Sequence, residues 1–453
     1  MNLKRLAPLL PIPATFALGA AAAHAWLARA PHRFAVDLAQ PLVVVTSWGA
    51  YGAGALAIFV ATVVVAATAL VLAIRSGART AQAGDTAAIV AIATLAIGSA
   101  FAWPFVFSSD TYAYAAYGAM AASGLDPYAP LPGSAHGAFY EAARWQWSGP
   151  YPVCIYGPAF VGIASLVVRA AGAHGVAATL TALRLLAAGA FLGSIPLLDR
   201  ALAGASRRLR YVALCAYGLN PICLWSVAEG HNDALLLCFV MAAAAIARRH
   251  AALGAFLLGL GPLLKAPGLA LAGGAALEPR LRGPDPKRFA YALAAGLAVT
   301  CVFALPPLVR ALGTLSGHRP PAPDLAAPIA GLALAAIVGA YALHRLRGGD
   351  PAGGAWLGIA VFFAIPHPYP WYALWLVPWC LGSDGPASRA LWAATISSVT
   401  RYLPDVTGNL SPGIATIASV VAALPLGFAL RDVRLGPRLK PPDSTQEKAP
   451  VSP

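Results

Sequence analysis

The chain has 453 residues, enough for two or three soluble domains, yet only 11% of them are charged, against about a quarter in ordinary soluble proteins. With 59% hydrophobic residues a soluble fold is excluded, because one globular surface cannot bury that much apolar side chain. The formal charge of +14 invites a nucleic-acid partner, but in a membrane protein basic residues collect on the cytoplasmic face, so their placement decides.

Lys4 and Arg5, an apolar stretch and Ala23-His24-Ala25 open the chain in the manner of a secretory signal with a cleavage site. The stretch is also long enough to cross, and retention as a first span is expected. Apolar runs at about 50 to 75 and 86 to 107 flank Arg75 and Arg79, which puts that loop inside and the following segment, Ser108 to Pro150, outside. Cys154 to Val168 is apolar but short. A full crossing there would turn Arg200, Arg207, Arg208 and Arg210 outward, so it is expected to be interfacial or re-entrant.

Runs at about 176 to 198, 209 to 228 and 232 to 249 cross in turn. Residues 251 to 277 lie between two basic clusters that both belong inside, which suits two half-helices broken at Gly261-Pro262 and Pro267-Gly268, with Lys265 at the tip. Further crossings are expected at about 289 to 309, 324 to 344, 354 to 366, 370 to 383, 388 to 403 and 412 to 430. The expected fold is therefore an all-α polytopic membrane bundle of about twelve spans plus re-entrant or interfacial segments. It forms a single domain over 1–430, with a cytoplasmic, disordered tail over 431–453. The basic residues then mark topology, and nucleic-acid binding loses its support. The six cysteines lie singly, without metal-ligand or disulfide spacing, and read as small core residues.

Charges outside the cytoplasmic loops carry the chemistry, because they are costly near lipid. Asp110 opens the outer loop in Ser108-Ser109-Asp110-Thr111-Tyr112. It reads either as a helix cap or as a carboxylate presented at the outer surface. Tyr114, Tyr117, Asp126 and Tyr128 follow, then Tyr156-Gly157-Pro158; turns with aromatics suit sugar rings. Glu229-Gly230-His231-Asn232-Asp233 falls on the same side, where Asp233 could cap the next helix. Arg184 and Lys265 are intramembrane cations, to be read as snorkelling or ion-paired groups or as clamps for a lipid phosphate. Pro366-His367-Pro368-Tyr369-Pro370-Trp371-Tyr372 is another outer aromatic turn, which could equally be an interface belt.

Taken in order, Ser109-Asp110 with Tyr112 and Tyr114, Gly118, Gly124-Leu125-Asp126-Pro127-Tyr128, Tyr156-Gly157-Pro158, Asn220-Pro221, Gly230-His231-Asn232-Asp233-Ala234-Leu235, Lys265 and Pro370-Trp371-Tyr372 with Trp375 span residues 107 to 380. This set resembles the GT-C glycosyltransferases, and more finely the polyprenyl-phosphate-mannose-dependent α-1,6-mannosyltransferases of the MptB type. The resemblance implies a GT-C-like fold and an inverting transfer of mannose from a polyprenyl-phosphate donor to an extracytoplasmic glycan or glycolipid. It implies Asp110 as general base, Lys265 and then Arg184 at the donor phosphate, and a sugar or acceptor pocket of Tyr112, Tyr114, Asp126, Tyr128, Tyr156, His231, Asn232, Asp233, His367, Trp371 and Tyr372. It demands no metal, because the leaving group is already a phosphate monoester, and metal dependence stays open. The implied location is the cytoplasmic membrane, with the site in the loop 108–150 on its outer face.

Two other classes fit parts of the pattern. A transporter or flippase would use broken helices and intramembrane charge, as around Lys265, but it would place more polarity at mid-depth and show an inverted repeat. A noncatalytic scaffold would treat the aromatics as belt and Asp110 as cap.

Overall fold

A computed structural model describes residues 7–77, 85–130, 135–146, 152–277, 279–317, 326–365 and 367–433. Tyr151, Pro366, part of the loop 108–150 and the tail from 434 lie outside the described residues. The described chain is helical throughout apart from one isolated bridge, in which Val45 N donates to Val106 O at 2.9 Å and Val106 N to Val43 O at 2.8 Å.

Six helical stretches are long and apolar enough to cross a membrane: Ala7–Leu27, Ala50–Gly77, Pro158–Ala201, Pro286–Leu312, Ile329–Arg347 and Pro412–Asp432. A seventh would be the pair Arg207–Gly218 and Pro221–Glu229, bent by 41°. Val302, Phe303, Leu332 and Ile337, on Pro286–Gly317 and Ala326–Arg347, are more than half exposed, an arrangement that lipid tolerates and water does not. The protein is a polytopic helical membrane protein.

Several of the twelve expected crossings are short. Asp85–Phe101 has 17 residues, Asp233–Ala247 has 15, Ala352–Ala364 has 13 and Pro386–Ser397 has 12. Fifteen helical residues extend about 22 Å, less than the roughly 30 Å hydrocarbon core. The stretch 370–383 folds as two 3-10 turns around the four-residue helix Ala373–Leu376, because Pro370 and Pro378 interrupt the ladder. The run 209–228, expected to be continuous, is broken at Asn220, whose side chain accepts from Ile222 N (2.9 Å) and Cys223 N (3.2 Å) ahead of Pro221 at the first helical position. The stretch from Cys154 is extended up to Gly157, and the helix begins at Pro158. Of the cysteines, Cys154, Cys215, Cys223 and Cys380 are core residues, whereas Cys301 is exposed.

The break around Lys265 falls where its Gly-Pro steps predict. Helix Ala251–Leu260 ends in the 3-10 turn Gly261–Leu263, and Gly268–Leu277 follows. Gly157 lies directly on this turn, its N–H bonded to Leu264 O at 3.1 Å; a Cβ there would collide with the Leu263 carbonyl, so only glycine permits the approach.

Phe59, Trp103, Phe105, Phe107, Trp225 and Tyr402 form a buried aromatic block. Phe59 and Trp225 centroids are 4.4 Å apart, and Trp103 meets Trp225 edge-on at 5.0 Å. Rigid rings of this size fix their neighbours through area and geometry together. They underlie the backbone on which Asp110 is mounted.

Candidate active site

Helix Asp110–Ala122 starts at Asp110, and its capping position, Ser109, makes no side-chain cap bond. The Asp110 carboxylate does not cap the helix either. Its Oδ2 accepts from Tyr114 Oη at 3.2 Å and lies 3.5 Å from His231 Nδ1, and the side chain keeps 23% exposure. Asp110 and Tyr114 meet because residues four apart share a helix face.

His231 arrives from a second element. Helix Pro221–Glu229 ends in Gly230, whose φ of +95° places it in the left-handed region. A Cβ there would also press on Arg184 Cγ at 2.9 Å and Thr111 Oγ1 at 3.0 Å. This turn inserts the buried His231 ring between two carboxylates, with Nδ1 toward Asp110 and Nε2 3.4 Å from Glu229 Oε2. Both separations are long for hydrogen bonds and neither ring nitrogen has a well-aligned partner, so the contacts act as charge pairs. Burial alone would lower the His231 pKa, but Asp110 and Glu229 outweigh it and raise it to about 9. Burial would raise Asp110; His231, Lys265 and the Tyr114 hydroxyl reverse this and hold it below its ordinary value. Trp371 stacks on His231 at 4.5 Å, and Tyr369 stacks on the far side of Trp371 at 4.4 Å.

Glu229 holds the assembly in place. Oε1 accepts from the backbone N–H of Phe107 (2.7 Å) and Ser108 (3.1 Å), and Oε2 accepts from Tyr402 Oη (2.8 Å). One buried carboxylate thus fixes the backbone just ahead of Asp110, orients His231 and recruits a tyrosine 173 residues away. The sequence points to Glu229 only as a neighbour of the His231 motif, and no local signal points to Tyr402.

Lys265 closes the third side. Its Nζ donates to Asp233 Oδ2 at 2.6 Å and Asn232 Oδ1 at 3.1 Å, and sits 5.2 Å from the Tyr156 ring centroid. An ammonium has three donors, so two are engaged by side chains. Asp233 therefore pairs with a cation, and no side-chain cap precedes its helix. Asn232 Nδ2 and Asp233 Oδ1, both buried, have no hydrogen-bond partner among the described residues. The Tyr114 hydroxyl is 3.2 Å from Asn232 Oδ1 as well as from Asp110, and its ring packs edge-on against Tyr156 at 5.2 Å. Burial, then the Asp110 charge, drives both phenols well above their ordinary pKa, so they stay protonated donors.

The remaining expected residues stand further out. Tyr112 directs its hydroxyl to Leu42, donating to its O at 2.9 Å and accepting from its N at 3.0 Å. Asp126 Oδ1 accepts from Tyr128 N at 2.9 Å and Oδ2 lies 3.4 Å from Arg310; Tyr128 Oη donates to Tyr156 O at 2.9 Å. Arg184 Nε donates to Ala228 O at 2.6 Å, supporting the C-terminal end of Pro221–Glu229, with its guanidinium 4.5 Å over Phe101. His367 accepts at Nδ1 from Arg401 at 3.0 Å; partial burial and this cation lower its pKa. Tyr372 flanks Trp371 edge-on at 5.8 Å and Trp375 at 5.1 Å. The structure thus brings together Asp110, Tyr114, Tyr156, His231, Asn232, Asp233, Lys265 and Trp371, with Tyr372 beside them.

Residues 14–278 match the family described as Alpha-(1->6)-mannopyranosyltransferase, N-terminal domain. Alpha-(1->6)-mannopyranosyltransferase A of Mycobacterium tuberculosis (strain ATCC 25618 / H37Rv) is 34% identical over 145 residues, covering 31% of this chain and 27% of that protein. The match thus takes in about a quarter of that relative's length. No solved structure matches the chain. Because the family match takes in more than half of the chain and contains the Asp110, His231 and Lys265 elements, the chain belongs to the MptA/B family of alpha-(1->6)-mannopyranosyltransferases.

Proposed function

We propose that the protein transfers mannose from a polyprenyl-phosphate donor to an extracytoplasmic glycan or glycolipid, with inversion at the anomeric carbon. The observation that carries this reading is the asymmetry of the cluster. Glu229 is buried with both oxygens engaged and Asp233 is buried against Lys265 through one oxygen, whereas Asp110 keeps 23% exposure beside a cationic His231 and Lys265.

In this reading the acceptor hydroxyl docks on Asp110. Its oxygen attacks the anomeric carbon, the bond to the donor phosphate breaks, and the hydroxyl proton passes to Asp110. Against burial, which would raise it, His231 with Lys265 and Tyr114 holds the Asp110 pKa below its ordinary value, favouring the ionised carboxylate. Lys265 uses its remaining N–H on the departing phosphate, and Arg184, with Nε held by Ala228, is the second cation. Tyr156 donates to a sugar oxygen and Tyr114 positions Asp110 and Asn232, while Trp371, Tyr372 and, further out, Tyr128 and His367 shape the sugar-binding wall. Asn232 Nδ2 and Asp233 Oδ1 are buried polar atoms whose missing partners a sugar hydroxyl would supply.

The accompanying topology is a single GT-C-like domain over 1–430, completed to about twelve crossings by the shorter helices. It lies in the cytoplasmic membrane with Asp110 at the outer surface. The test is transfer by purified full-length protein from radiolabelled polyprenyl-phosphate-mannose to short α-mannosides. The expected result is transfer by wild type and its loss in Asp110→Asn. Retained transfer in both Asp110→Asn and Asp110→Ala would remove the base. Solute or lipid movement in proteoliposomes without transfer from any polyprenyl-phosphate sugar would replace the reading with a transporter.

A further inference from the structure

The helix that begins at Asp233 runs for 15 residues, about 22 Å, away from the carboxylate cluster. Just beyond it lie Arg249 and His250. Ala251–Leu260 packs back along that helix and returns the chain to Lys265, in contact with Asp233; Gly268–Leu277 then leads away to Pro279–Arg282. The chain thus makes a closed circuit, with the cluster at one end. At the other end is a cavity of about 440 Å³, which Arg249, His250, Arg282, Asp285, Arg288 and Leu253 help to line.

The chemistry of this cavity is one-sided. Three arginines line it against one aspartate, and among the described residues none of the three is held in an ion pair. Asp285 is engaged in accepting from Arg288 N at 2.9 Å at the start of Pro286–Gly317. Forked donors from separate segments match the several oxygens of a phosphate better than the two of a carboxylate. The cavity is also amphipathic: Leu253 is 51% exposed, and Phe289, also in the wall, is buried. An apolar lip beside lining arginines suits a headgroup whose hydrocarbon continues into lipid.

We infer that this cavity binds the phosphate of an anionic lipid headgroup at the end of the bundle opposite the Asp110 cluster. The site is independent of the transfer reaction proposed above. Its occupant bridges Arg249, before the broken-helix hairpin, and Arg282, after it, so it braces the hairpin whose tip carries Lys265.

The test uses the full-length protein, delipidated in neutral detergent and titrated with short-chain phosphatidylglycerol, phosphatidylcholine or inorganic phosphate, with binding followed by native mass spectrometry. Phosphatidylglycerol is expected to bind at least about tenfold more tightly than phosphatidylcholine. Joint Arg282→Gln and Arg288→Gln substitution should remove most of that preference. Asp285→Asn, which keeps the helix-capping oxygen, should tighten binding severalfold. Inorganic phosphate that displaces the lipid and binds as tightly would support the site with a soluble phosphate as its ligand. Equal binding of both lipids, or arginine variants with unaltered size-exclusion profiles and undiminished phosphatidylglycerol binding, would overturn the inference.

Discussion

The two ends of the Asp233–Ala247 helix solve the problem of charge near a membrane in opposite ways. At the Asp233 end, Asp110, Glu229, His231, Asp233 and Lys265 are packed into one another, and every charge faces an opposite charge. At the Arg249 end the cations stand at the surface around a cavity and face solvent. Charges of the first kind are interdependent, since removing one strands its buried partner at a cost of several kcal/mol. Charges of the second kind can be removed singly with little effect on stability. Substitutions at the first end should therefore register in both catalysis and folding, and those at the second in ligand binding.

The sharpest contrast within the first end lies between Asp110 and Glu229. Asp110→Asn should lower transfer by about 10²–10⁴-fold, since the amide cannot take the proton, with the smaller loss of thermal midpoint in detergent, since Asp110 is partly exposed and His231 keeps Glu229 as a counter-charge. Glu229→Ala should do the reverse in origin. It strands the Phe107 and Ser108 N–H groups, the Tyr402 hydroxyl and one flank of His231, and should destabilise the protein by about 3 kcal/mol or more. Glu229→Gln keeps an acceptor for both backbone donors and should recover part of that midpoint. Equal thermal losses in Asp110→Asn and Glu229→Ala would dissolve the contrast.

A smaller effect concerns pH. His231 has a folded pKa of about 9, above its unfolded value near 6.5, so its contribution to stability is full below about 6.5 and lost as pH rises through about 9. Asp110 is depressed, so its contribution is present above about 3.8 and lost as pH falls through its lower folded value. In His231→Gln the alkaline loss of stability should disappear. The acid limb of kcat/KM should move to higher pH, because Asp110 loses the cation that keeps it ionised. An unmoved acid limb would show that His231 does not tune the base.

The smallest effects separate two tyrosines. Tyr114→Phe should reduce transfer several-fold, through lost contacts to Asp110 and Asn232. Tyr112→Phe should leave turnover unchanged and cost about 1 kcal/mol of stability, because among the described residues its hydroxyl bonds to Leu42 alone. Matching kinetic losses in the two variants would mean that Tyr112 also reaches substrate.

By itself the sequence determined what depends on local order. Low charge and long apolar runs require helices in lipid, since backbone groups there have no water to bond to. The Gly261-Pro262 and Pro267-Gly268 steps fix the break around Lys265, because proline lacks the donor and clashes with the preceding turn. The ordered motif from Asp110 through His231 to Lys265 carried the family.

The tertiary structure alone decided which of these residues meet. Glu229 reaches Phe107 across 122 residues and Tyr402 across 173, and no local spacing encodes such pairs. Tyr112 and Tyr114 look alike in the chain, yet two helical steps rotate a side chain by about 200°, sending one to Leu42 and the other to Asp110. Whether Asp110 and Asp233 serve as caps was equally open locally. It was settled only when His231 and Lys265, brought in from turns between helices, supplied the opposite charges.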